Sequence, residues 1–209
     1  MYLSGGLSPN HAEGSGYPEL GYMLTFPKAN RGDRTGRPFA FDNGCYANPQ
    51  AYDDDRYLAW LDARHRERCL FATAPDVVGD WRATLERSAP MMRRIRALGY
   101  PVAFIAQDDI APDVIPWDEF DVLFIGGSTD WKLSEAAYAL PAFAHTLGKA
   151  THLGRVNSSP RFRAARAAGY DSADGTMLAY GRTVNWHRVK AWIDDARRQP
   201  PLFTLECAA

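Results

Sequence analysis

The chain has 209 residues, enough for one sizeable hydrophobic core and too few for two, so the expectation is a single domain over residues 1–209. Its 46% hydrophobic and 23% charged residues are those of a globular chain in water. A formal net charge of -1 excludes the whole-molecule basic field of small nucleic-acid-binding modules, while leaving room for a local basic face. Cys45, Cys69 and Cys207 lie far apart with no Cys-x-x-Cys spacing, which argues against a disulfide framework or a cysteine zinc cluster and for a cytoplasmic home. No run approaches the roughly 18 apolar residues of a membrane span, and no basic region leads an apolar run at the start, so neither insertion nor secretion is expected.

In chain order, Tyr2-Leu3-Ser4 is a candidate first strand stopped by Gly5-Gly6, and Leu20 to Phe26 has the apolar density of a buried strand. Residues 27–38 form a basic Gly/Pro-rich loop carrying Lys28, Arg31, Arg34 and Arg37, readable as a solvated linker or a phosphate-contacting loop. A rhythm then sets in. Phe39-Ala40-Phe41 leads to Asp42-Asn43-Gly44, and Asp53-Asp54-Asp55 opens a helix whose end carries Arg64, Arg66 and Arg68. Leu70 to Thr73 leads to Ala74-Pro75-Asp76; Asp80 caps a helix with Leu85, Met92, Ile95 and Leu98 inward, and Gly99 ends it.

Val102 to Ile105 leads to Ala106-Gln107-Asp108, and Val122 to Ile125 runs into Gly126-Gly127-Ser128. An alanine-rich helical stretch follows, in which Pro141 is expected to start a second piece because it fits poorly inside a helix. Thr151 to Val156 is another strand, Ser159-Pro160 opens a helix closed by Gly169, and Gly169-Tyr170-Asp171-Ser172-Ala173-Asp174-Gly175-Thr176 is a short strand presenting Asp171 and Asp174. A last helix carries Trp186, Val189 and Ile193 on one face.

Short continuous apolar runs alternating with helices mean βα units and a parallel sheet buried on both faces. About seven such strands are evident, with an eighth near the N-terminus or at Leu202 to Leu205. The polar residue of each unit falls just past its strand, and a compact α/β barrel of the (β/α)8 kind, rather than an open doubly wound sheet, gathers all those ends on one rim. The rim then offers Asp42, Asp76, Gln107, Gly126 with Gly127, Arg155 with Asn157, and Asp171 with Asp174. Such a set suits a polar, planar ligand.

These residues resemble the tRNA-guanine transglycosylase superfamily over about residues 38–182. Phe41-Asp42-Asn43-Gly44-Cys45-Tyr46 stands where that family has Asp-Ser-Gly-Gly-Phe-Gln, Ala106-Gln107 where a glutamine ends a strand, Ile125-Gly126-Gly127 where it has paired glycines, and Gly169 to Asp174 is similar to its Gly-x-Asp-x-Phe-Asp. The resemblance implies a (β/α)8 barrel that exchanges guanine in a polynucleotide for a free 7-deazaguanine base through an aspartyl-glycosyl intermediate, without a cofactor. It implies Asp174 as nucleophile, with Asp171 as its rival, and Asp42 as general acid/base. Asp76, with Asp80 as alternative, would hold the amidine edge of the base; Gln107, with Asp108 or Asp109 as alternatives, and the N–H of Gly127 would hold its carbonyl edge. Gly126, Asn43 and Asp171 complete the substrate-binding set.

Two departures qualify the substrate. Gly175 stands where many members have a cysteine, and the Cys-x-Cys-x-x-Cys…His zinc site is absent, so DNA is expected over tRNA, as in the short zinc-free DNA transglycosylases of phages and bacterial DNA-modification clusters, which insert preQ0 or a relative. Lys132, Arg155, Arg161, Arg163 and Arg182 are the candidate phosphate contacts, each of them readable as plain solvated surface; Trp131 is a candidate for stacking on a base. His152 and His187 have no partners at metal spacing and no metal is assigned. A nucleoside or glycoside hydrolase, an inactive DNA-binding barrel in a modification complex, and a homodimer remain open.

Overall fold

The computed structural model describes residues 1–5, 16–28 and 32–198. Eight parallel strands close into a barrel in chain order: β1 (Tyr2–Leu3), β2 (Leu20–Thr25), β3 (Phe39–Asp42), β4 (Cys69–Thr73), β5 (Val102–Ala106), β6 (Val122–Ile125), β7 (Ala150–Leu153) and β8 (Ser172–Asp174). The N-terminal strand is the one that completes the ring. Tyr2 pairs with Leu20 on one side and Ala173 on the other. The alternative strand at 202–205, like Arg31 and Cys207, lies outside the described residues.

Side chains alternate across each strand. Leu3, Met23, Ala40, Phe71, Ala103, Ile105, Val122 and Phe124 fill the barrel interior as one cluster, while their neighbours, such as Phe39, Phe41, Phe104, Leu123 and Ile125, pack outward in the larger cluster with the helices. Both strand faces are therefore buried, which is why the apolar runs are continuous.

The outer helices are α1 (Asp54–Asp62), α2 (Trp81–Ala97), α3 (Thr129–Lys132), α4 (Glu135–Thr146), α5 (Ser159–Ala167) and α6 (Arg182–Arg198). Asp53, Asp80, Ser128, Ser134 and Ser158 cap α1 to α5 by accepting a backbone N–H from within the first turn. Gly99 and Gly169 follow α2 and α5 with φ of 86° and 85°, the left-handed turn that ends a helix without strain in glycine. Among the described residues no helix is long and apolar enough to cross a membrane.

α5 begins at Ser159 as expected, with Ser158 before it as the cap. Two other helix boundaries differ from the sequence reading. Arg64, Arg66 and Arg68 follow the end of α1, and Arg64 turns inward to the Lys28 carbonyl (3.0 Å), stacking on Trp60 at 4.3 Å. Pro141 sits inside α4, and the break falls earlier, at Leu133-Ser134. The carbonyl that Pro141 leaves without an intrahelical donor is that of Ala137, and the Tyr170 hydroxyl donates to it at 3.0 Å. The proline is tolerated because the loop before β8 supplies the missing hydrogen bond. Tyr170→Phe is therefore expected to lower stability by about 1–2 kcal/mol in urea unfolding, more than an exposed tyrosine hydroxyl would.

Candidate functional site

A cavity of about 310 Å³ opens at the C-terminal ends of the strands. Met23, Ile105 and Phe124, pointing up from the barrel interior, line it together with Asp42, Asp76 and Asp174 and the backbones of Gly126, Gly127, Gly154 and Gly175. Tyr46, Val78 and Tyr180, all exposed, stand around its mouth with Lys28 and Arg155. Apolar floor, acidic wall and bare glycine backbone together fit a flat ligand with polar edges.

The three carboxylates come from three strands and have different surroundings. Asp42 ends β3, receives hydrogen bonds from the Thr25 hydroxyl and the Gly44 N–H, and has its pKa raised to about 7, first by burial and then by Asp76 and Asp174. Asp76, in the loop after β4, is gripped on both oxygens: Asn43 Nδ2 donates to Oδ1 at 3.1 Å and Gln107 Nε2 to Oδ2 at 2.8 Å. Burial raises its pKa and those two bonds oppose the rise. Asn43 is itself fixed between the Ala74 carbonyl (2.8 Å) and the Cys45 N–H (2.7 Å), and the Gln107 carbonyl oxygen takes the Gly79 N–H at 2.9 Å. Asn43 and Gln107 thus orient Asp76, and neither lines the cavity itself.

Asp174 ends β8. Its Oδ1 accepts from the Arg155 N–H at 3.1 Å and lies 3.2 Å from His152 Nε2. The Arg155 N–H reaches it because Arg155 adopts φ 60°, a left-handed conformation that costs a non-glycine residue about 1 kcal/mol or more. Its guanidinium then crosses the mouth to the Gly127 carbonyl and stacks on Tyr46 at 4.4 Å. Gly175 has no room for a side chain: a Cβ would lie 2.2 Å from the Tyr2 hydroxyl and 2.4 Å from the Val156 carbonyl. That explains why no cysteine follows Asp174.

Asp42, Asp76, Gly126, Gly127, Arg155 and Asp174 are thus brought together as the strand-end reading requires. Asp171 is not. It precedes β8, three residues from Asp174 and at the other end of the strand, where its carboxylate takes the Thr151 N–H (2.7 Å) and hydroxyl (2.9 Å) and meets His145 (2.9 Å). It is a brace between β7, β8 and α4, with no place in the cavity. Lys132 is buried, donating Nζ to the Gly154 carbonyl at 2.9 Å, and burial followed by Arg155 lowers its pKa to about 8, so it holds a strand end and meets no phosphate in this position.

Arg161 lines a separate small crevice beside Lys132, and Arg163 is exposed on α5 away from the cavity lining. The side chain of Arg182, at the start of α6, lies outside the described residues. Trp131 is buried against Gly127 in the core cluster, and Tyr46 and Tyr180 occupy the mouth in its stead. Of the basic loop, Lys28 reaches the cavity, fixed by its carbonyl, which accepts from Trp60 Nε1 at 3.2 Å. His152 is the residue that metal spacing alone passes over; its strand parity with Gly154 puts it inside the barrel, beneath Asp174. Among the described residues no group of three or more His, Cys, Asp or Glu could hold a metal ion.

The raised pKa of Asp42 has a defined sign. A carboxyl whose folded pKa lies near 7 and whose unfolded pKa lies near 4 favours the folded state at low pH and opposes it progressively as pH rises between those values. Water in the open cavity screens part of this. Asp42→Asn is expected to stabilise the protein by about 1–3 kcal/mol at pH 8 and little at pH 4, as read by urea unfolding at the two pH values.

No protein-family model matches this chain, and no curated protein matches it.

Proposed function

We propose that this barrel is a base-exchange transglycosylase that replaces guanine in a polynucleotide, DNA in preference to tRNA, by a 7-deazaguanine. The observation that carries the reading is one cavity holding a carboxyl poised near pH 7, Asp42, opposite a carboxylate, Asp174, with one oxygen that has no hydrogen bond among the described residues. Pairs of acids set apart by environment divide the acid and nucleophile roles of glycosyl transfer.

In the first half-reaction Asp174 Oδ2 attacks the sugar anomeric carbon, the bond to the base nitrogen breaks, and its electron pair leaves with guanine, which takes the proton of Asp42. In the second, the incoming base returns a proton to Asp42, its nitrogen attacks the same carbon, and the ester bond opens to restore the Asp174 carboxylate. Two displacements retain configuration. Asp76, held in place by Asn43 and Gln107, accepts the N–H donors on the amidine edge of the base, and the glycine backbone at 126–127 approaches the opposite edge. Lys28 and Arg155 with Tyr46 and Tyr180 give the mouth cations for phosphates and rings for stacking, which suits an extruded nucleotide. A departing guanine and an arriving 7-deazaguanine share the edges this wall recognises.

The test incubates the protein with guanine-containing DNA and labelled guanine or 7-deazaguanine. Label is expected in the polymer; release of free base alone would mean a hydrolase, and binding without either would mean an inert barrel. Asp174→Asn is expected to lower turnover by about three orders of magnitude or more with DNA binding retained. Because base departure needs protonated Asp42, the first half-reaction is expected to slow above pH about 7, and Asp42→Asn to flatten that limb while lowering the rate about 10²–10⁴-fold.

A further inference from the structure

We infer that His152 is a positioning residue for Asp174: from inside the barrel it holds Oδ1, so that Oδ2 is the oxygen presented to the sugar. This deepens the transglycosylase reading and rests on it. His152 is fully buried on β7, and its ring packs against Phe71 (5.0 Å between centroids) and Phe124 (4.5 Å). An aliphatic or aromatic side chain would fill that space equally well. What distinguishes histidine is that both ring nitrogens have partners, Nδ1 with Ser172 Oγ at 2.8 Å and Nε2 with Asp174 Oδ1 at 3.2 Å.

Burial depresses the ring's basicity and Asp174 opposes that only in part, which favours the neutral imidazole. A neutral ring has one N–H. Beside a carboxylate it belongs on Nε2, and the single proton of the Ser172 hydroxyl then turns to Nδ1 at 2.8 Å in place of the more distant Thr151 carbonyl at 3.5 Å. The charged groups acting on this ring are Asp174 from β8 and the amino group of Met1 at the start of β1. Asp174 in turn faces Asp42 from β3 and Lys132 from α3.

Both hydrogen bonds to Asp174, from His152 and from the Arg155 N–H, land on Oδ1, and Oδ2 has none among the described residues. When Oδ2 bonds to the anomeric carbon, Oδ1 becomes the ester carbonyl and keeps the same two donors. When the ester opens, they receive the returning charge. His152 forms no bond to substrate and transfers no proton in this scheme. It fixes the rotamer of the nucleophile.

In wild-type protein carrying isotopically labelled histidine, nuclear magnetic resonance at pH about 8, above the ordinary histidine range, is expected to show His152 as the Nε2–H tautomer. An Nδ1–H tautomer, turning a lone pair toward Asp174, overturns the inference. In kinetics, His152→Met is expected to lose about a hundredfold in kcat with KM nearly unchanged. His152→Gln, whose amide can still donate to Oδ1, should recover most of that loss. A folded His152→Met with wild-type kcat would also overturn it. Wild-type protein that exchanges no base defeats the transglycosylase reading, while the tautomer still decides the positioning role.

Discussion

Closure of the barrel through its two-residue first strand is the constraint on which the site depends. Leu3 pairs with Gly21 of β2 and Asp174 of β8, and its carbonyl takes the Gly175 N–H at 3.0 Å. Without β1 the last strand would be an unpaired edge, and Asp174 would have no fixed relation to Asp42 on the far side of β2. The adjoining groups lock the same corner: Tyr2 donates its hydroxyl to the Val156 carbonyl at 3.1 Å, and Val156 N–H meets the Asp174 carbonyl at 2.6 Å. A side chain at position 175 would push this corner apart.

Once the ring is closed, the electrostatics follow from burial. Three carboxyls sharing a cavity with an apolar floor cannot all be charged at little cost, and the fold handles each differently. Asp76 is tied by two side-chain amides, Asp174 by a backbone N–H and a histidine, and Asp42, held by the Thr25 hydroxyl and the Gly44 N–H, has its pKa raised to about 7. A group at that point can give and take a proton under the same conditions, as a reaction with a departing and an arriving base requires.

The fold was legible because eight short apolar runs separated by helix signals admit few closures, and the rim residues because a parallel barrel collects its strand ends. Asp42, Asp76, Gly126, Gly127, Arg155 and Asp174 needed no more than that. Asp171 misled because two aspartates in one short motif read as a pair, whereas a three-residue strand puts them at opposite ends of the barrel. Lys132 looked like a rim cation because burial of an ammonium on a lone carbonyl leaves no trace in local pattern. Gln107 was identified at the rim, but its partners, Asp76 and the Gly79 N–H, come from another loop and turn it into a brace. Pro141 misled for the same reason, since the hydroxyl that accommodates it belongs to a residue 29 positions later, with the contact itself made from Tyr170 to Ala137. His152 was visible as a lone histidine, and only its parity inside β7 gives it a role.

The most direct measurement is mass spectrometry of the protein quenched while turning over guanine-containing DNA with no acceptor base present. The account predicts a sugar adduct on the peptide containing Asp174, localised to that side chain and lost when a 7-deazaguanine is added. An adduct on Asp42, Asp76 or Asp171, or base exchange proceeding with no adduct at any carboxylate, would contradict it.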